Sequence, residues 1–343
     1  MKELPRLALT MGDPSGIGPE IIVKALSEKK VYAECIPVVV ADGAVLKHAI
    51  NMVASPLKLK RLEDPLEAVG AYGTIEYLEL NNVDMDTLVF GKVLASSGKA
   101  AFESIDKAID LSLEKKVAGV ITTPINKDSI NRAGFHYSGH TEIFAEKTKT
   151  KHYAMMLIHD PLRVVHVSTH VSLRKACDLV KKDRVLEVIR LAHGALVQLG
   201  FDEPNIAVAG LNPHAGENGM FGDEEMKEII PAIKQAGAEG LNVSGPLPPD
   251  TVFSKALAGQ YDVVVVMYHD QGHIPLKLTG FKYDNNTGKW DAVSGVNITL
   301  GLPIVRSSVD HGTAFGKAGK GTANPQSMIE AIHYGALLAT KGK

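Results

Sequence analysis

Short runs of β-branched and aliphatic residues alternate along almost the whole chain with longer stretches in which apolar residues recur every three or four positions. The short runs predict strands at Arg6–Thr10, Ile36–Val40, Ala118–Thr122, Arg163–Ser168, Ile206–Ala209, Val263–Tyr268 and Val296–Leu300. The longer stretches predict helices at Pro19–Ser27, Lys99–Lys115, Thr141–Lys147, Lys182–Leu199, Asp223–Gln235 and Gln326–Thr340. Strand and helix in that order predict an α/β protein with mainly parallel sheets. Between Lys282 and Ser294 the segment KYDNNTGKWDAVS sets Asn-Asn, Thr-Gly and charges between two apolar runs, which predicts a solvent-facing hairpin or flap.

At 343 residues and 45% hydrophobic residues the chain has enough apolar material for two lobes, each with its own core. Lys+Arg 37 against Asp+Glu 39 leaves no bulk positive field, so holding nucleic acid is not its main business. The longest aliphatic runs, such as Val263 to Met267, are too short to span a bilayer, and the start of the chain lacks a signal-like apolar stretch; a cytoplasmic protein is expected. Its two cysteines, Cys35 and Cys177, form no C-x-x-C pattern, so any metal must rely on His, Asp or Glu.

Four constellations carry candidate chemistry. Met11-Gly-Asp-Pro-Ser-Gly-Ile-Gly-Pro-Glu20 follows the first strand and opens the first helix, with Pro19 suited to a first helical position. It lacks the Gly-Lys of a P-loop at Ile17 and Gly18, and lacks the third glycine of a dinucleotide fingerprint at Ile21. A tight turn without a ligand explains it equally well, and Asp13 is its most chemically interesting residue. The second set is His170, His214 and His269, each shortly after an apolar strand. Parallel strands share a carboxyl edge where ligands bind, so these imidazoles form a candidate site for zinc, cobalt, nickel, iron or manganese. Most of the 13 histidines are better read as packed or surface residues, notably His48, His152, His159, His193 and His333. The third set faces anions: His140 and Thr141 ahead of a helix, Lys277 beyond His269, and Arg306 after the strand that begins near Val296. Asn212, Asp250 and Asp270 lie beside these segments, suited to orienting ligands or moving protons. The fourth is His311-Gly312-Thr313-Ala314 with AGKGTANP behind it, a glycine-bearing loop that leads into the last helix.

GDPSGIGPEI, GHTEIFAE, STH, GLNPHAGENGMFGDEE, GPLPPDTVF, YHDQGHIPLK and GVNITLGLPIVRSSVDHGTA resemble, in collinear order over essentially the whole chain, the PdxA family of 4-hydroxythreonine-4-phosphate dehydrogenases. The resemblance implies an isocitrate/isopropylmalate dehydrogenase-like fold of two α/β lobes with a cleft between them. Residues 1–125 and 275–343 would form a discontinuous lobe with the glycine-rich turn and adenine-side loop, and 126–274 the second lobe. It implies a homodimer with a shared site, a divalent metal (Zn, Co, Mg, Mn or Ni) on His170, His214 and His269, and NAD or NADP near Asn212, His311, Gly312, Thr313, Ala314 and Asn324. Substrate contacts would be His140, Thr141, Lys277, Asn297 and Arg306, with Asp250, Asp270 and Lys277 at the reacting centre. The implied reaction is oxidation and decarboxylation of a phosphorylated 3-hydroxy acid: 4-phosphohydroxy-L-threonine in pyridoxal phosphate synthesis, or 4-phospho-D-threonate or erythronate in sugar-acid catabolism. The Lys282–Ser294 insertion is a departure that bears on substrate choice. Two rival readings use the same residues: a three-histidine metal hydrolase, and a non-catalytic sensor of a phosphorylated metabolite.

Overall fold

The computed structural model describes residues 4–285 and 289–341. The chain divides into two compact units, residues 1–151 with 302–343, and residues 152–301.

The first unit is built on β1 (Arg6–Thr10), β2 (Ile36–Ala41), β3 (Lys58–Leu62), β4 (Thr74–Glu79), β5 (Gly119–Thr122) and, from the returning chain, β14 (Val305–Val309). They lie in the order β3-β4-β2-β1-β5-β14, and every pairing among them is parallel. Helices α1 (Gly18–Leu26), α2 (Val31–Glu34), α3 (Gly43–Met52), α4 (Ala95–Leu113), α5 (Lys127–Arg132), α6 (His140–Lys147) and α12 (Gln326–Lys341) complete it. One core cluster joins Ala8, Val38 and Val120 of the strands to Ile105 and Ile109 of α4 and to Ile143 and Phe144 of α6. Buried on both faces, the central strands β2 (IPVVVA) and β5 (GVIT) read as nearly continuous apolar runs rather than as alternation, as parallel strands do.

The second unit has β6 (Ala154–His159) and β7 (Leu162–His166) as an antiparallel pair, with β8 (Ile206–Ala209), β9 (Val243–Leu247), β10 (Val263–Val266) and β13 (Val296–Leu300) in the order β13-β6-β7-β10-β8-β9. β7, β10 and β8 are parallel neighbours. Its helices are α7 (Leu173–Leu179), α8 (Lys182–Leu199), α9 (Ile230–Ala238), α10 (Val252–Leu257) and α11 (His269–Gly280). β11 (Phe281–Asp284) and β12 (Lys289–Val293) pair antiparallel, so a hairpin forms where the loop composition predicted one.

The fold class is as expected, a mainly parallel α/β structure, but several details differ. The unit breaks fall after Lys151 and Gly301, not after 125 and 274. Ile143 and Phe144 explain the first shift, because both are fully buried in the core of the first unit. The antiparallel register of β13 on β6 explains the second, since it keeps the chain in the second unit through Leu300. The predicted helix at Asp223–Gln235 is a π turn at Glu225–Ile229 running into α9. Arg306 follows the strand that begins at Val296, as expected, but lies within a further strand, β14, that was not predicted, in register with Val120.

Candidate functional site

In the first unit, the turn after β1 is shaped by glycine. Gly12 has φ +69°, and a Cβ there would lie 2.3 Å from Thr123 Oγ1 and 2.5 Å from the Pro124 carbonyl oxygen, so only glycine fits. Asp13 behind it is fully buried; its Oδ1 accepts the Ser15 N–H at 2.9 Å, and its Oδ2 has no hydrogen bond of good geometry. Burial pushes this carboxyl up to about 6, against the opposing pull of the Ser15 N–H and the nearby Ser129 hydroxyl. The turn is tied to the HGTA segment: Ile17 N–H donates to the Thr313 carbonyl at 3.2 Å. Ala314 has φ +44°, and the Lys317 N–H donates to its carbonyl at 2.7 Å. His311 Nδ1 lies 3.0 Å from the Gly312 carbonyl, and burial lowers the affinity of this imidazole for a proton. Asn324 Oδ1 accepts the Gln326 N–H at 2.8 Å, starting the last helix. The first and fourth constellations are therefore one structural piece.

The anion-facing residues of this unit also come together. Arg306 is 3% exposed, its Nη2 donates to Thr122 Oγ1 at 3.0 Å, and burial brings its guanidinium down to about 9, with Glu142 opposing that shift. At that value it is still a cation at neutral pH. Burial holds His140 well below the ordinary histidine range, reinforced by the charges of Arg306 and then Lys127. Thr141 is the next residue of α6 and is half-buried. Lys127 was not singled out from the sequence. Its Cε would lie 3.8 Å from a Cβ placed on Gly139, and among the described residues no ion pair of 4 Å or less involves it. The available signal was its place just after β5, at the same strand end as the other candidates. A buried guanidinium, a half-buried neutral imidazole and an ammonium with no ion pair among the described residues suit an anionic group such as a phosphate or carboxylate.

In the second unit the strand-end reasoning places β7, β10 and β8 side by side, so their three histidines leave neighbouring strands at one edge. The rings of His170 and His269 are 5.6 Å apart, whereas His214 stands against Phe221 with ring centroids 6.2 Å apart. Among the described residues no three His, Cys, Asp or Glu side chains are grouped to hold a metal ion within one chain. His269 is oriented by the residue that follows it. Asp270 Oδ1 lies 2.7 Å from its Nδ1, and that hydrogen bond holds the Asp270 carboxyl below the usual range; a ring donating through Nδ1 keeps its Nε2 lone pair for a metal. Lys277 lines the same pocket as His269, Asp270 and His273, and its ammonium lies 5.4 Å from the Phe281 ring. Asp250 is exposed in the turn after β9, and Asn297 donates from Nδ2 to Met155 Sδ at 3.1 Å.

Asn212 is held by two carboxylates. Its Nδ2 donates to Glu224 at 2.8 Å and to Glu225 at 2.9 Å, and both its N–H and that of Leu211 donate to Glu225 Oε1 at 2.8 Å. Glu225, 1% exposed, thereby anchors a segment in which His214 to Asn218 all have positive φ. Sequence reasoning missed Glu225, His166 and His273, because a buried carboxylate in a helix and single extra histidines, one ending a strand and one within a helix, carry no spacing signature.

The family described as pyridoxal phosphate biosynthetic protein PdxA matches residues 33–335. D-threonate 4-phosphate dehydrogenase of Cupriavidus necator is 45% identical, with 98% of each chain covered. A solved structure of 4-hydroxythreonine-4-phosphate dehydrogenase from Klebsiella pneumoniae is 44% identical, covers 99% of each chain and has a TM-score of 0.86. One from Burkholderia phymatum is 42% identical, covers 98% of this chain and 99% of its own, and has a TM-score of 0.83. The chain belongs to the PdxA family.

Proposed function

We propose that this protein is a divalent-metal-dependent dehydrogenase that oxidises the secondary hydroxyl of a phosphorylated four-carbon hydroxy acid with NAD or NADP, and that D-threonate 4-phosphate is its substrate. The observation that carries the reading is the His269–Asp270 pair beside His170 and Lys277, a carboxylate-oriented imidazole prepared for metal in a pocket that also holds a lysine. Identities of 45% to D-threonate 4-phosphate dehydrogenase and 44% to 4-hydroxythreonine-4-phosphate dehydrogenase, each over nearly the full chain, support a phosphorylated hydroxy acid as substrate, and the test below decides between the two.

His170, His214 and His269 would hold the metal. A second copy of the chain completes the set, and α11, which leaves Ile274 58% and Leu278 77% exposed beside His269, is the surface that meets it. A divalent ion there supplies Lewis acidity for a developing alkoxide, and the nicotinamide supplies the hydride acceptor. The protein's own residues do the rest. Arg306, His140, Thr141 and Lys127 seat an anionic group, Lys277 and Asp250 exchange the hydroxyl proton, Asp270 fixes the His269 tautomer, and Asn297 orients the substrate. The turn at Gly12–Gly18 and the HGTA loop hold the dinucleotide.

The test is reduced-nicotinamide formation by the metal-supplemented protein offered 4-phospho-D-threonate and 4-phosphohydroxy-L-threonine in parallel. At least tenfold higher kcat/KM for the first is expected. The reverse preference would move the protein to the other substrate, and no absorbance change with either would overturn the dehydrogenase reading.

A further inference from the structure

Four imidazoles of the second unit are packed against one another, and two of them have no part in the reading above. His273 lies one helical turn after His269 on α11, and their rings stack at 3.6 Å with 12° between planes. His273 Nδ1 is 2.9 Å from the His269 backbone carbonyl. A carbonyl only accepts, so Nδ1 of His273 carries the hydrogen. That bond turns the ring back along the helix until it lies flat on the ring of His269. Behind it stands His166, the last residue of β7, fully buried, with its ring 4.9 Å from that of His273 and its Nδ1 3.2 Å from the Met155 carbonyl on the neighbouring strand. Gly272 permits this approach, since a Cβ there would lie 2.7 Å from His166 Nε2. His269 is thus fixed from two sides: its edge by Asp270 and its face by a ring that is itself held by a backbone carbonyl and by a side chain rooted in the sheet.

We propose that His273, backed by His166, is a positioning residue that sets the plane of His269 and thereby the direction of its Nε2 toward the metal. The proposal rests on the reading of His269 as a metal ligand. A ligand ring free to rotate about its side-chain bonds must be ordered when the ion binds, whereas a ring already clamped between a carboxylate and a stacked neighbour is preorganised, and partners of this kind typically change metal affinity by about 10–100-fold.

The test uses the full-length metal-free protein and Co2+ as probe, with affinity measured by calorimetry and coordination geometry by the d–d absorption of bound Co2+. His273→Ala is expected to weaken Co2+ binding at least tenfold and to alter the d–d band. His273→Phe keeps a stacking ring without the hydrogen bond, and His273→Asn keeps a donor near the Nδ1 position without the ring; both should fall between wild type and His273→Ala. These two decide the matter if His273→Ala fails to fold. His269→Ala is the control. Wild-type affinity and an unchanged band in the His273 variants, with binding lost in His269→Ala, would overturn the positioning role and leave the ligand reading standing. Wild-type Co2+ affinity in His269→Ala would overturn both.

Discussion

Glu20, buried in the first turn of α1, accepts the backbone N–H of Ala323 at 2.6 Å, so the loop before the last helix is latched to the helix that follows the first strand. Lys24, one turn on, pairs with Glu20 at 2.8 Å and donates to the Gly321 and Ala323 carbonyls at 2.8 and 2.7 Å. Two residues near the start of the chain thereby hold in place the glycine-bearing loop that stands 300 residues later in sequence.

Removing that latch should loosen the loop before it loosens the fold. Glu20→Ala leaves the Ala323 N–H without its acceptor and the Lys24 ammonium with only the Gly321 and Ala323 carbonyls, a loss of about 1–3 kcal/mol. Hydrogen exchange at Ala323 should accelerate far more than exchange in β1, and KM for the nicotinamide should rise more than KM for the phosphorylated acid. Equal acceleration in both places would mean that Glu20 supports the unit as a whole.

Asp13 makes a pH-dependent contribution with a definite sign. Burial raises its native value from 3.8 to about 6, so between those values the unfolded chain ionises while the native one keeps its proton. Stability contributed by this group is present at about pH 4 and below, falls as pH rises to about 6, and is flat above, a total of about 3 kcal/mol. Asp13→Asn should remove this slope and leave the variant more stable than wild type at pH 7. Urea unfolding at several pH values measures it, and an unchanged slope would contradict the assignment.

Lys127 should affect substrate affinity rather than turnover. Lys127→Met is expected to raise KM for the phosphorylated substrate by about tenfold, with kcat changed less than threefold, and to flatten the dependence of KM on salt concentration. A fall in kcat at constant KM would place the ammonium at the reacting atoms instead.

Gly98 in α4 is a steric test of the first unit. A Cβ at this position would lie 2.0 Å from the Ser129 carbonyl oxygen and 2.2 Å from its carbonyl carbon, so α4 and α5 touch backbone to backbone. Gly98→Ala must separate them, and a loss of about 2–4 kcal/mol is expected despite the better helix propensity of alanine. A thermal midpoint equal to or above wild type would show that α5 moves freely.

What could be read from the sequence was whatever declares itself over a short window. β8 is an uninterrupted apolar run, β1 and β13 are short runs rich in aliphatic residues, and all three lie where those runs predicted. β3, with the sequence KLKRL, is a largely exposed strand next to β4 alone, and its lysines hid it. β14 was hidden by Arg306 and two serines in a buried strand, because a polar residue is tolerated there only through the tertiary bonds it makes. α11 carries Pro275 in its interior and begins at His269 itself, so its sequence looks like a loop after a strand. At the candidate site, the strand-end position of His170 and His269 was legible, but the partners that orient His269 were not. Stacking by His273 and anchoring by Glu225 depend on how helices settle against the sheet, which no local spacing encodes.

The left-handed run from His214 to Asn218 has a consequence for the evolvability of this region. Four of those five residues are not glycine, and each such residue costs about 1–2 kcal/mol relative to ordinary backbone, so the run would relax to another shape if released. What keeps it is Glu225, bonded to Leu211 and Asn212 from outside the run. PHAGENG is therefore not a portable module. Grafted into another scaffold without its carboxylate it would present a different surface.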